Sequence, residues 1–227
     1  MRSGTVETSL DFSFFDAVKP ASYYSSARVD LVDRLPRDAA ASILEVGCGG
    51  GATGALALSE GCCARYVGIE SDDGAVADAR NVLTDVIAGD VETIELAWQE
   101  AIFDILILSE SFENLVDPGA TLKKLGKFVR SGGMLLASAH NIAHWSVICD
   151  LLLGRFRFKG RSISERVYSR RFAQEVLVGK MDVAGFAIDE ISPVAPLGSK
   201  TEIMSKLTGG RFDHLFMPRI AVVAFKR

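Results

Sequence analysis

The chain has 227 residues, 48 % of them hydrophobic, and carries 25 Lys and Arg against 29 Asp and Glu, a net charge of −4. That length suits one large domain, or a domain with a modest cap, and the apolar fraction is ample for a core. The acidic balance argues against general nucleic-acid binding, which needs a positive footprint to displace counterions, and no stretch reaches the roughly 18 uncharged apolar residues that span a bilayer. The N-terminus lacks the basic, apolar and small-residue pattern of a secretion signal. Cysteines 48, 62, 63 and 149 lack the paired spacing of a zinc knuckle or a secreted disulfide scaffold. A soluble cytoplasmic protein with free thiols is expected.

Residues 1–36 form a distinct opening stretch, in which Phe12, Phe14 and Phe15 cluster before Pro20 and a helix is predicted over 23–35. We expect it to act as a helical lid or cap, with Tyr24 at the acceptor. An alternation of strands and helices follows. Strands are predicted over 43–46, 66–69, 86–88 and 103–108, and helices over 52–59, 74–83 and 118–129, the last opened near Asp117. A fifth strand, 133–137, follows the turn Ser131-Gly132-Gly133. Strands this apolar on both faces need helices on both sides of the sheet, which gives a doubly wound α/β architecture.

Beyond it, an extra helix is predicted over 142–153, and residues 154–171 hold seven basic residues against the single Glu165. A helix over 172–184 ends at Gly185, and strands follow over 187–191 and 220–226. Residues 192–218 offer no strong crossover helix, so these last two strands are expected to run antiparallel as a long-looped hairpin.

The first strand ends in four glycines within five residues, Gly47, Gly49, Gly50 and Gly51, before the helix that starts at Ala52. Glycine there permits a tight turn and a close approach of backbone to ligand, and the helix offers unpaired N–H groups. The spacing Gly47-x-Gly49-x-x-Ala52 also fits a dinucleotide site, which keeps a nicotinamide-dependent dehydrogenase as an alternative. Three carboxylates disfavour it. Glu45, two residues before the first glycine, would repel a pyrophosphate and suits a cationic amine. Glu70 after the second strand can accept from both ribose hydroxyls, and Asp90 after the third can accept from an adenine amine. Each also has a structural reading, Glu70 and Asp90 as helix-cap neighbours and Glu45 as an ion-pair partner. Taken jointly they describe a ligand with amine, ribose and adenine but no phosphate, which fits S-adenosylmethionine.

The run 43–51 resembles the first motif of class I S-adenosylmethionine-dependent methyltransferases, and Val67-Gly68-Ile69-Glu70 resembles their second. Residues 103–118 are similar to the fourth-strand motif of the small-molecule branch, and 131–136 with Ser138-Ala139-His140-Asn141 to the fifth-strand motif. The likeness covers roughly residues 22–191. It implies a seven-stranded, mostly parallel sheet with the last strand antiparallel, a Rossmann-like domain over 37–227, and a helical acceptor-side insertion over 142–171. It implies S-adenosylmethionine as cofactor and S-adenosylhomocysteine as product, with Glu45, Gly47, Gly49, Gly51, Glu70, Ser71, Asp90, Val91 and Ser109 at the cofactor.

On the acceptor side the chain departs from the pattern. Asn114 stands where many relatives carry histidine, His140 where a proline is expected, and Tyr168 where histidine is frequent. Methyl transfer is an in-line displacement, in which positioning alone can supply roughly 7–11 kcal/mol. A hydroxyl acceptor still gains from proton removal. Asn114 cannot take a proton, so the candidate bases are His144 and His140, which share one face if a helix begins at Asn141. Their spacing also suits a metal, but no third ligand accompanies them and none is expected. Glu113, Asn114, Asn141, Trp145, Arg155 and Arg170 are the expected acceptor contacts, the arginine forks suiting a phosphate or carboxylate such as a nucleotide sugar presents. The sequence thus points to methyl transfer to a small-molecule or sugar hydroxyl. The alternative is a non-catalytic methyltransferase-like module that binds a partner through the basic insertion. Whether the chain is a monomer or a homo-oligomer is left open.

Overall fold

In the computed structural model the first strand, β1 (Ser42–Val46), is buried along nearly its whole length, and successive side chains point to opposite faces of the sheet. Ile43 packs in one core with Leu31, Ala57, Tyr66 and Val76, whereas Leu44 packs in the other with Leu106, Leu122, Leu135 and Leu177. The same division recurs at Ile105 and Leu106, and again at Leu135 and Leu136. This is why the strands read as unbroken apolar runs. The structure describes residues 26–109, 111–154, 173–195 and 209–227.

The elements follow the sequence expectation closely in the first half. A short α1 (Val29–Val32) precedes β1, and α2 (Ala52–Ser59), β2 (Arg65–Glu70), α3 (Asp73–Ala79) and β3 (Asp85–Ala88) come next. Then β4 (Phe103–Ser109), a 3-10 turn (Ser111–Glu113), α4 (Pro118–Gly126) and β5 (Val129–His140) complete the parallel part. The second half adds α5 (Trp145–Leu152), α6 (Gln174–Val183), β6 (Phe186–Pro193), a second 3-10 turn (Asp213–Leu215) and β7 (Arg219–Lys226).

Seven strands form one sheet in the order β3-β2-β1-β4-β5-β7-β6, parallel except for β7, which is antiparallel to both its neighbours. The chain winds outward from β1 to β3, then restarts on the other side of β1 with β4. The gap at the carboxyl ends of β1 and β4 is the topological switch point, where open α/β sheets bind ligands.

Several boundaries moved for physical reasons. The third helix stops at Ala79 rather than at Leu83, because the Thr84 amide already donates to the Tyr66 carbonyl and draws the chain into the sheet. Likewise α4 ends at Gly126, since the Lys127 and Phe128 carbonyls accept from the amides of Ala101 and Phe103. The Ser131-Gly132-Gly133 stretch is a bulge inside β5 and not a turn before it: Phe103 pairs with Val129, and Ile105 with Met134. No β-carbon fits at Gly133, where it would lie 2.6 Å from Val129 Cγ1 and 2.9 Å from the Asp104 carbonyl oxygen. The insertion helix begins at Trp145, so Asn141 does not start it. Most of the expected cap, including Tyr24, lies outside the described residues, as do Arg155, Tyr168 and Arg170. Among the described residues no helix is long and apolar enough to cross a membrane, and all four cysteines are free.

Candidate functional site

At the switch point the glycine turn is held open by its own geometry. Gly47 has φ +74°, and a β-carbon on it would meet Ser111 Cβ at 3.0 Å. The Gly47 amide donates to the Ile69 carbonyl at 2.7 Å, which ties the turn to β2. Gly51 caps α2 in the left-handed region with φ +82°, where a β-carbon would sit 2.8 Å from Val82 Cγ2. Its role is packing against the turn after α3, and it does not reach the cavity wall.

Glu70, at the end of β2, fastens two turns at once. One carboxylate oxygen accepts from the Gly49 amide at 2.9 Å, and the other accepts from the amides of Ser71 at 2.8 Å and Asp72 at 3.0 Å. Asp72 in turn caps α3 by accepting from the Ala75 amide. Beyond β3, Asp90 turns its own chain by accepting from the Glu92 amide, and Glu92 bridges to the amides of Val116 and Asp117, both at 2.7 Å. Lys124 closes the same wall through the carbonyls of Val91 and Ile94.

These walls enclose a cavity of about 550 Å³. Glu45, Gly47, Gly49, Glu70 and Ser71 line it, and so do Asp90, Val91, Ser109 and Asn114. The three carboxylates singled out by their spacing therefore share one cleft. The cavity wall also contains groups that the sequence did not single out, chiefly Arg28, Thr53, Glu92 and Ser111. Arg28 is the sole basic residue among the described residues of the lining. Its guanidinium donates to Ser109 Oγ at 2.7 Å and to Asp30 at 2.8 Å, and its amide donates to Thr53 Oγ1 at 3.2 Å. Burial works against ionisation of Asp30, yet the Arg28 hydrogen bonds and the charges of Arg28 and Arg219 outweigh it and hold that carboxyl below its usual range. No spacing rule could have placed Arg28, which lies 81 residues from Ser109 in the chain.

Glu45 is only 2 % exposed, and its carboxylate accepts from the Tyr66 hydroxyl at 2.8 Å. Burial pushes its pKa up to about 7, against the pull of the Tyr66 hydrogen bond and the Arg28 charge. The Tyr66 phenol is pushed well above its ordinary value by the same burial and by Glu45 itself. This side chain is poised for a cationic partner, since burial leaves the isolated carboxylate only half ionised near neutrality.

The acceptor side is arranged differently from the expectation. Glu113 is buried, and its carboxylate accepts from the His140 backbone amide and lies 3.0 and 3.1 Å from His140 Nδ1. It thus orients His140 and does not face the cavity. Asn141 is 1 % exposed and clamps the chain entering β7: its side-chain amide donates to the carbonyls of His214 and Met217, and its Oδ1 accepts from the Ala143 amide. His144 caps α5, with Nδ1 2.7 Å from Ser146 Oγ, and the half-exposed Trp145 lies beside it, its ring tilted by 44° at a centroid distance of 5.8 Å. His140 ends a strand and His144 caps a helix, so the two do not share a helix face. None of Glu113, His140, Asn141, His144 or Trp145 lines the cavity. Among the described residues no three His, Cys, Asp or Glu side chains gather where a metal ion would be held.

Comparison with known proteins gives this geometry a class. Residues 44–135 match the family described as a methyltransferase domain. The chain is 25 % identical over 198 residues to a ubiquinone biosynthesis O-methyltransferase of Aromatoleum aromaticum, covering 82 % of this chain and 84 % of that one. Over 121 residues it is 31 % identical to a trans-aconitate 2-methyltransferase of an Azoarcus species, covering 52 % of this chain and 46 % of the relative. Its fold is similar to that of an S-adenosylmethionine-dependent methyltransferase of Mesorhizobium loti, with a TM-score of 0.63 at 16 % identity over 88 % of this chain and 98 % of the other. The chain carries a methyltransferase domain over residues 44–135, and its Rossmann-like seven-stranded sheet is the fold of the S-adenosylmethionine-dependent methyltransferases that it resembles. Its cofactor is S-adenosylmethionine.

Proposed function

We propose that the protein is an O-methyltransferase that modifies a hydroxyl of a small molecule, sugar hydroxyls included, with His140 as general base. The cavity's charge pattern suits the cofactor. Four carboxylates, Glu45, Glu70, Asp90 and Glu92, face a space whose described lining holds the single cation Arg28. A diphosphate would be repelled there, and the Gly49 amide it would need is already given to Glu70. A ligand with one ammonium, one carboxylate and an uncharged nucleoside matches. Glu70 would hold the ribose hydroxyls, Asp90 the adenine amine, Glu45 the ammonium and Arg28 the carboxylate. When bound, S-adenosylmethionine supplies a methyl group made electrophilic by its sulfonium.

The observation that carries the oxygen-acceptor reading is the Glu113–His140 pair. Glu113 sits in the chain between Ser111 and Asn114, both on the cavity wall. A buried carboxylate beside Nδ1 selects the tautomer with its proton there, which leaves Nε2 as the basic nitrogen, on a side chain 29 % exposed. A base held this way can take the proton of a hydroxyl as its oxygen attacks, the role that Asn114 cannot fill. The name of the Aromatoleum relative, an O-methyltransferase, supports the same choice of atom.

Methyl transfer from labelled cofactor to a panel of phenols, sugars and nucleotide sugars tests the reading. His140→Gln is expected to lower kcat by about 10²–10⁴-fold while leaving S-adenosylhomocysteine affinity within threefold. An unchanged kcat would remove His140 as the base. Transfer confined to amines or carbon acids would remove the hydroxyl.

A further inference from the structure

Among the described residues of the cavity wall, Ser111 is singular. Its Oγ is buried from solvent and has no hydrogen-bond partner. Hydroxyls placed so are uncommon in folded proteins, because a buried polar atom left unpaired is costly. Its neighbours are all satisfied: Ser109 Oγ accepts from Arg28, Thr53 Oγ1 accepts from the Arg28 amide, and Glu70 accepts from three backbone amides. The backbone also makes room for Ser111. Gly47 carries no β-carbon at the point where one would come within 3.0 Å of Ser111 Cβ, and its positive φ is one that other residues rarely adopt.

The cavity has two ends. Glu70 ends β2 and Asp90 follows β3, whereas Gly47, Ser109 and Ser111 cluster where β1 and β4 end. If the first end takes the nucleoside, as in the proposal above on which this inference rests, the second takes the amino-acid portion of the cofactor.

We infer that the Ser111 hydroxyl is a cofactor-specificity contact, which completes its hydrogen bonding only on the amino-acid portion of S-adenosylmethionine or S-adenosylhomocysteine. It is a group left unpaired in the free protein and paired in the complex. The side chain turns about a single Cα–Cβ bond to do so, since a serine hydroxyl both donates and accepts and can meet either the ammonium or the carboxylate. Removing it relieves the free protein and harms the complex.

Two ligands separate this role from simple packing: S-adenosylhomocysteine, and 5′-methylthioadenosine, which keeps the nucleoside and sulfur but lacks the amino-acid portion. Calorimetry on Ser111→Ala is expected to show about tenfold weaker binding of S-adenosylhomocysteine and unchanged binding of methylthioadenosine. The melting temperature of the ligand-free variant should equal or exceed that of the wild type. Equal weakening of both ligands, no weakening of either, or a lower ligand-free melting temperature would each overturn the inference. The orientation beneath it reads out separately, because Glu70→Ala should weaken both ligands. If that substitution spares methylthioadenosine, the nucleoside end has been misplaced, whatever Ser111 does.

Discussion

The two halves of the cleft use polar side chains for different purposes. On the cofactor half, carboxylates bind backbone amides, several of them close by in the chain: Glu70 holds Ser71 and Asp72, Asp72 holds Ala75, and Asp90 holds Glu92, while Glu70 also reaches Gly49 and Glu92 reaches Val116 and Asp117. On the acceptor half, polar side chains join segments far apart, as when Glu113 meets His140 and Asn141 meets His214 and Met217. The first kind of bond shapes a loop that local sequence already favours. The second staples the ends of β4, β5 and β7 together and depends on the whole sheet being assembled. Loss of a cofactor-side carboxylate should therefore strike ligand binding first, and loss of an acceptor-side staple should strike stability first.

The sharpest way to break this contrast is at Glu70, whose carboxylate serves three amides as well as the proposed ribose site. Glu70→Ala is expected to weaken S-adenosylhomocysteine binding by about 10- to 150-fold in calorimetry, in keeping with roughly 1.5–3 kcal/mol for a hydrogen bond to a charged group. Retained affinity within a factor of three would show that the glycine turn stands without it. Next in size is Asn141→Ala, which removes the partner of two part-buried carbonyls and one part-buried amide. A loss of about 2–3 kcal/mol, or roughly 5–10 °C in melting temperature, should appear with cofactor affinity unchanged. A large fall in affinity with an unmoved melting temperature would make Asn141 a ligand contact after all.

The smallest effect concerns Glu45. Its carboxyl holds its proton up to about pH 7 in the free protein, whereas an ordinary glutamate in the unfolded chain loses it near 4.5. Native protein thus binds a proton that unfolded protein has released between those values. The stability contributed by this group falls as pH rises through that window and levels off above about 7. An ammonium beside the carboxylate favours its ionised form, so cofactor binding should release protons below about pH 7, and affinity should climb severalfold from pH 5.5 to 7.5. Calorimetry in buffers of different ionisation enthalpy measures that release. Glu45→Gln should abolish it, and a release that persists in the variant would assign it to another group.

Much of the cofactor half was legible because its signals are short. A strand that ends in glycines, a carboxylate closing the next strand and Asp117-Pro118 opening a helix each state their geometry within a few residues, and they were found where expected. The acceptor half was legible in composition and not in arrangement. Glu113 and His140 were both named from sequence, but their union was not, because 27 residues and a complete helix separate them. Asn141 was expected at an acceptor and instead clamps the β7 approach, and Arg28 went unnoticed because a lone arginine just before a short helix carries no spacing signature.

By itself the sequence determined the layered sheet, the order of its elements, the antiparallel return at its end and the carboxylates flanking the glycine turn. Those follow from periodicity and local backbone preference, which act over a few residues. Only the tertiary structure decided which histidine meets a buried carboxylate, which arginine reaches the cavity, and which hydroxyl is left without a partner. Such pairings arise when separate strands dock in register, and their energies depend on burial that no isolated segment possesses.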